Sequence, residues 1–361
     1  MSVPMQSEHG EPKRILVAMS GGVDSAVAAA LLKEQGHDLI GVTLHLWDAG
    51  PSEQVGRCCA PEDREDASRV SEYLGIPHYV IDKREAFEQE VVRPLIDGYL
   101  AGATPSPCVH CNRTVKLTYL LSLAERFGAS HVATGHYVRL RPSPEGTRLL
   151  KGRDQTKDQS YFLFGVPQQV LERMIFPLGS MTKNETRAHG RRLGIPNADK
   201  PDSQELCFIP DGDVAGFIKS KRPDAVRSGH IEDEDGTVLG DHDGIVGFTV
   251  GQRKGLGLGG GPARYVLKIV PEERRLVVGS AESLKESALI AAEASWVLTP
   301  PESEFDAEVR IRYRHKPAKA RIRPHHRTFS VEFAEPQHAV TKGQAAVIYR
   351  EDEVVGGGFI Q

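Results

Sequence analysis

The chain has 361 residues, 39% of them apolar and 26% charged, which supports a packed core, excludes wholesale disorder and suits two or three domains. Lys and Arg number 45 against 49 Asp and Glu; the net charge of −4 excludes a globally basic nucleic-acid coat but not a local basic patch. There is no apolar run of about 18 residues, and Met1 to Pro12 lacks the apolar stretch of a signal peptide, so a cytoplasmic protein with no membrane partner is expected. The five cysteines, Cys58, Cys59, Cys108, Cys111 and Cys207, are too few for a disulfide scaffold. They read as reactive, metal-binding or buried.

Arg14 to Met19 reads as a buried strand, followed by a helix from Ala26 to Glu34 that Gly36 stops. Leu39 to Trp47 is a second strand, Glu62 to Leu74 a helix ending at Gly75, and His78 to Ile81 a third strand. Glu85 to Tyr99 is helical with a kink expected at Pro94. Thr114 to Phe127 is an amphipathic helix and Ser130 to Thr134 a fourth strand. The alternation predicts an α/β fold, a Rossmann-like parallel sheet with helices on both faces. After about residue 210 Gly and Pro become dense, with GQRKGLGLGGGP at 251–262. That stretch reads equally as a hairpin connection or as a clamp on a ligand. Arg264 to Val270 and Arg275 to Val278 suggest a small β-rich domain, and a third β segment runs from near Ala292 to the C-terminus. The expected domains are 12–210, 211–288 and 289–361.

Ser20-Gly21-Gly22-Val23-Asp24-Ser25 falls between the first strand and the first helix. Two glycines let the backbone approach an anion, and the helix adds free N–H groups and its positive dipole end. The Ser20 and Ser25 hydroxyls add donors. Asp24 repels a bare phosphate, so its presence suggests a divalent cation or a ribose hydroxyl. Neither GxxxxGK[ST] nor GxGxxG is matched. The hexamer resembles the PP-loop of enzymes that cleave ATP between the α- and β-phosphates.

Pro105-Ser106-Pro107-Cys108-Val109-His110-Cys111-Asn112 precedes the Thr114 helix, and Asp202-Ser203-Gln204-Glu205-Leu206-Cys207-Phe208-Ile209 follows much later. A cysteine at a helix N-terminus is activated by the dipole. Cys58 and Cys59 read as small packing residues. Cys108, Cys111 and Cys207 give either three thiolates for an iron–sulfur cluster or a redox pair in which Cys111 attacks sulfur carried on Cys207. Spacing alone leaves both open.

From Arg310 to Arg327 there are eight Lys or Arg, three His and no acid. Arg310, Arg312 and Arg314 alternate with Val309, Ile311 and Tyr313, which predicts a strand with one basic face, suited to RNA phosphates. Without an acid in the run, self-neutralisation is not expected.

Ala133-Thr134-Gly135-His136-Tyr137, Lys157-Asp158-Gln159-Ser160-Tyr161-Phe162-Leu163, Gly251-Gln252-Arg253-Lys254-Gly255-Leu256-Gly257 and Gly343-Gln344-Ala345-Ala346-Val347 complete the pattern. With SGGVDS, PCVHCN and ELCFI they make a chain that resembles the bacterial tRNA-specific 2-thiouridylases from about residue 13 to the C-terminus. The resemblance implies a PP-loop domain followed by two small β-rich domains, the last a β-barrel. It implies ATP, with Mg²⁺, and replacement of O2 by sulfur on the wobble uridine of tRNA. Ala18, Met19, Ser20, Gly21, Gly22, Val23, Asp24 and Ser25 would hold ATP, with Leu44 and Gly135 along the nucleotide. Cys111 would be the nucleophile and Cys207 the persulfide carrier, with no metal ligand in that scheme. Ser106, Pro107 and Cys108 would meet the target base; some members carry Asn-Pro-Asp there. His136, Lys157, Asp158, Gln159, Arg312, Tyr313 and Gln344 would contact tRNA.

In this scheme adenylation turns a very poor leaving oxygen into a phosphate ester, and sulfur then replaces it. A cysteine desulfurase or sulfur-relay protein would deliver the sulfur, and the enzyme is expected to act as a monomer. The rivals are cluster-dependent thiolation, a PP-loop ligase acting on a small molecule, and a tRNA-binding module without catalysis.

Overall fold

The computed structural model describes residues 11–48, 61–201, 206–209 and 212–361. Cys58 and Cys59 lie outside the described residues.

A parallel sheet forms first, from β1 (Arg14–Ala18), β2 (Asp38–His45), β3 (His78–Asp82), β4 (His131–Ala133) and, later in the chain, β7 (Met174–Ile175). The spatial order is β3-β2-β1-β4-β7, and every pairing is parallel. Ile15, Leu16, Val17, Leu39 and Ile40 are fully buried because both sheet faces are covered. The helix α1 (Val23–Glu34) buries almost every residue from Val23 to Leu32; its alanines allow close packing on the sheet. The helix α2 (Pro61–Tyr73) is polar outside and buries Ala67 and Val70. Strand order reverses between β1 and β4, which opens a crevice at the carboxyl ends of these strands.

Two helical rods wall that crevice. Arg84–Phe87, Glu88–Val92 and Arg93–Leu100 run on as one rod with a wide π-type turn in the middle, and Pro94 falls in the first turn after it. The second rod joins Pro107–His110, Cys111–Lys116 and Leu117–Arg126. This corrects the sequence reading: the helix begins at Pro107, whose preset φ suits a first turn, and not at Thr114. Cys111 therefore lies a turn inside the rod, at the start of its own π-type turn, away from the helix N-terminus.

The middle unit is a four-stranded sheet of β8 (Gly229–Glu232), β9 (Val238–His242), β10 (Tyr265–Val270) and β11 (Arg275–Gly279), in the order β10-β11-β8-β9. The strands β9 and β10 occupy opposite edges, so the Gly-rich stretch crosses the sheet and is not a hairpin connection.

The last unit is built from β12 (Lys285–Trp296), β13 (Phe305–Arg310), β14 (Ala318–Pro324), β15 (Thr328–His338), β16 (Ala345–Arg350) and β17 (Glu353–Ile360). Their order is β12-β15-β14-β13-β16-β17, and β12 also pairs with β17, which closes an antiparallel barrel. A hairpin that the sequence reading passed over, β5 (Val138–Ser143) and β6 (Gly146–Lys151), leaves the first domain and pairs with β17. The barrel is thereby welded onto the parallel-sheet domain through backbone hydrogen bonds.

The predicted basic strand is also corrected. The strand β13 stops at Arg310, and the Arg312 carbonyl accepts from the His315 N–H in a tight turn. Pro317 has no N–H for a ladder. Among the described residues no helix is long and apolar enough to cross a membrane.

Candidate active site

The strand β1 delivers Ala18 and Met19 to the crevice, and the chain turns through Ser20, Gly21 and Gly22 into α1. Gly21 has φ of +74°, and a Cβ there would lie 2.0 Å from the Asp63 carbonyl oxygen of α2, so only glycine fits. The Ser25 hydroxyl donates to the Gly22 carbonyl at 3.0 Å and sits 3.1 Å from the Ser20 hydroxyl, bracing the loop from within. Gly22 caps α1 without a side-chain hydrogen bond, which leaves the first N–H groups of the helix to an anion. Gly135, just after β4, packs onto the same turn; a Cβ there would be 2.7 Å from the Asp24 carbonyl carbon.

Charge around the loop is balanced by lysines. The Lys183 ammonium donates to both carboxylate oxygens of Asp24, at 2.7 and 2.9 Å, and the Tyr137 hydroxyl donates at 2.9 Å. Lys183 is held at the start of Lys183–Arg192 by a capping box between Thr182 and Glu185. The partner that the sequence reading sought for Asp24 in a divalent cation or a ribose hydroxyl is supplied by Lys183. On the other side, Lys200 pairs with Asp63 and, at 2.6 Å, with Asp66. Lys200 and Asn197 also donate to the Gly21 carbonyl, at 3.3 and 2.8 Å. The carboxylates of Asp24, Asp63 and Asp66 at the loop are each paired with a lysine, an arrangement that does not fit a bound Mg²⁺. Among the described residues, no three His, Cys, Asp or Glu side chains are grouped to hold a metal ion.

The loop is one wall of a cavity of about 860 Å³. Ala18, Met19, Ser20, Gly22, Val23, Asp24, Ser25, Leu44 and Gly135 line it, together with Pro107, Cys108, Cys111 and Cys207. Gly21 stands behind this wall against α2. The Cys207 segment is brought to the rods by aromatic packing: Phe208 and Ile209 are buried, and the Phe208 ring lies 5.2 Å from that of Phe87 and 6.1 Å from that of Trp47. Cys111 and Cys207 share one apolar cluster. Burial, and then the neighbouring Cys207, push the Cys108 thiol up to about 11, while Lys116 opposes them. At the head of the rod desolvation thus outweighs the dipole, and Cys108 stays protonated at neutral pH.

His136, Lys157, Asp158, Gln159 and Tyr313 also line the cavity. Burial holds the His136 imidazole down at about 3, so it is neutral, with Nδ1 2.7 Å from the Thr134 hydroxyl. Gln159 accepts from the Tyr137 N–H at 2.9 Å. The Tyr313 ring packs 4.5 Å from that of Phe162. Asp158 is buried and accepts from the Gly152 and Ser160 N–H groups and the Ser160 hydroxyl, so it organises its own turn.

Three further residues, besides Gly21, lie off the cavity wall. Ser106 is buried immediately before the head of the second rod. Gln344 donates to the Thr104 carbonyl at 2.7 Å and so clamps the segment leading to Cys108. Arg312 points to the His338 carbonyl at 3.4 Å.

Self-neutralisation, judged absent from the sequence, is present. Arg321 pairs with Asp306 and Glu304, Arg323 with Glu304 and Glu332, and Arg310 with Asp158. The acids come from neighbouring strands and turns that a linear count cannot see. Sequence reasoning passed over Arg310, Arg314, His315 and Lys316 as cavity residues. They lie in the basic run, but the assumed strand assigned directions by alternation, and the turn points consecutive residues inward. The lining carries six Lys or Arg against three Asp, a basic bias suited to an anionic ligand.

A phosphate loop at the reversal point of a parallel sheet, opening on a basic cavity, defines the class as a PP-loop nucleotide enzyme. Three family models match in succession: a tRNA methyl transferase HUP domain over residues 13–211, a tRNA methyl transferase PRC-barrel domain over 215–280 and an aminomethyltransferase beta-barrel domain over 286–360. The tRNA-specific 2-thiouridylase MnmA of Sorangium cellulosum is 48% identical over 355 residues, 96% of this chain and 92% of that protein. The protein of the same name from Geotalea uraniireducens is 45% identical over 361 residues, 98% of this chain and 96% of that protein. The chain belongs to the tRNA-specific 2-thiouridylase family: it is a tRNA sulfurtransferase that uses ATP.

Proposed function

We propose that this enzyme replaces O2 of the wobble uridine with sulfur carried as a persulfide on Cys207, and that Cys111 releases the product. The observation that carries the reading is that five residues of the phosphate loop, Ser20 and Gly22 to Ser25, line one cavity with Cys111 and Cys207, which are distant in the chain. The first N–H groups of α1 hold the triphosphate, and uridine O2 attacks the α-phosphorus. Pyrophosphate leaves, N3 gives up its proton, and O2 becomes an AMP ester. The terminal sulfur of the Cys207 persulfide attacks C2 and expels AMP. The Cys111 thiolate then attacks Cys207 Sγ and breaks the sulfur–sulfur bond. 2-Thiouridine leaves, takes back a proton at N3, and a Cys111–Cys207 disulfide remains. A thiol reductant resets it, and a sulfur-donor protein recharges Cys207.

Domain 12–210 does this chemistry, and 211–288 and 289–361 hold the tRNA. Lys157, Arg314 and Lys316 supply phosphate contacts at the cavity mouth, with neutral His136 acting as a hydrogen-bonding group. The protonated Cys108 thiol meets the base as a neutral donor.

The test is single-turnover thiolation with Cys111→Ser and Cys207→Ser. Each abolishes thiolated product while tRNA-stimulated pyrophosphate release persists. Full thiolation by either variant refutes the persulfide route.

A further inference from the structure

The Gly-rich stretch that crosses the middle sheet begins as a braced turn. The Gln252 side chain accepts from the Thr249 N–H at 3.1 Å and donates to the Lys254 carbonyl at 3.0 Å. The Gly251 N–H and the Gln252 carbonyl both bond to the backbone of Val266, at 2.8 and 3.0 Å, and Leu256 is buried. Arg253 and Lys254 are carried on this turn. Both are exposed, and neither side chain has an ion pair or hydrogen bond among the described residues. Arg310, Arg321 and Arg323 of the barrel differ, since each meets a carboxylate. A Cβ at Gly257, Gly259 or Gly260 would meet nothing within 4 Å, so the flank of the turn lies open.

The turn sits at the seam with the barrel. A Cβ on Gly251 would lie 2.7 Å from that of Ala339. Ala339 follows His338, whose carbonyl accepts from the exposed Arg312 at 3.4 Å. Arg312 leads in turn to Arg314 and Lys316 on the cavity wall. Contacts therefore run without a break from the cavity mouth through Arg312 to Arg253 and Lys254. We infer that these cations form one track for the RNA backbone, and that the turn 251–257 is its clamp on the phosphates beside the target uridine. This rests on the thiolation reading above and adds to it the surface that holds the RNA at the cavity. Solvated cations with no acid at hand hold counterions that are released when phosphates replace them. Lys and Arg side chains offer no acceptor, and exposed ones that meet phosphates position a nucleic acid without reading it. The clamp therefore grips any sequence. An acidic protein would also be attracted, but the track ends at the cavity that takes the nucleoside, which favours the RNA strand itself.

The experiment measures binding of full-length substrate tRNA, and of an isolated anticodon stem-loop, as a function of salt. The double variant Arg253→Gln, Lys254→Gln is expected to flatten the slope of log K against log salt by about 1.5 for both RNAs. Lines that converge near 1 M salt then stand about thirtyfold apart at about 0.1 M. Charge reversal, Arg253→Glu with Lys254→Glu, weakens binding further. The control removes two exposed cations at the far ends of α1 and the second rod, Lys33→Gln with Arg126→Gln. It leaves both RNAs within about twofold of wild type, because Lys33 lies about 15 Å along α1 from the loop, beyond the screening length. An unchanged slope in the first variant, or equal losses in variant and control, overturns the inference. A loss of affinity that salt does not modulate marks structural damage and overturns it as well. Unchanged RNA binding with slower sulfur delivery from a donor protein assigns the turn to that protein instead. Wild-type thiolation, measured alongside, separates the failures: its absence sinks the underlying reaction, and its presence with an unmoved slope sinks only the clamp.

Discussion

Arg310 at the end of β13 donates to the buried carboxylate of Asp158 at 3.1 Å, joining the barrel to the turn that lines the cavity. The same carboxylate accepts from Gly152 and Ser160, so one buried anion organises the turn and docks the barrel. Arg310→Ala leaves that anion without its cation. Removing one partner of a buried pair costs about 3–5 kcal/mol. A lower urea midpoint is expected, with most of the loss recovered in an Arg310→Met, Asp158→Asn double variant; an unchanged midpoint in the single variant would show that the pair holds nothing.

Lys183 does not line the cavity, yet it neutralises Asp24, which does. Lys183→Met turns Asp24 into an uncompensated anion beside the phosphates. Calorimetry with a non-hydrolysable ATP analogue is expected to show at least tenfold weaker binding. Adding Asp24→Asn to that variant restores much of the affinity. Wild-type binding by the single variant would remove the lysine from this role.

Gly21 and Gly36 both take positive φ, +74° and +85°, but only Gly21 backs onto another chain segment. Gly21→Ala drives a methyl into the α2 backbone and is expected to abolish ATP binding. Gly36→Ala meets open space and costs about 1 kcal/mol with ATP binding intact. Equal effects in the two variants would mean that φ alone, and not the approach of α2, governs the loop.

The His136 imidazole titrates at about 3 in the fold, against an ordinary 6.5. Between these values the unfolded chain binds the extra proton, so stability rises with pH from about 3 to 6.5 and is lost on acidification through that window. His136→Gln is expected to flatten the stability profile there, by up to about 1.4 kcal/mol per pH unit, and to leave it unchanged above pH 7. A parallel downward shift at every pH would assign His136 to packing alone.

Cys111 shows how local reasoning failed. PCVHCN reads as a segment just before the helix, because the spacing from Thr114 onward is the stronger periodic signal. In the fold Pro107 starts the helix, and Cys108 takes the first turn. Whether the Cys108 thiol is activated there depends first on desolvation and then on Cys207, nearly a hundred residues away in the chain.

The sequence by itself determined the parallel α/β sheet, the phosphate loop and the β-rich second half. These follow from hydrophobic period, glycine placement and strand–helix alternation, all short-range properties. Only the tertiary structure decided which charges meet. Lys183 reaches Asp24, Arg310 reaches Asp158, and the arginines of β14 find acids on β15 and ahead of β13. Electrostatic partnership and burial are set by distance in space, and chain folding brings together groups whose separation along the chain carries no trace of it.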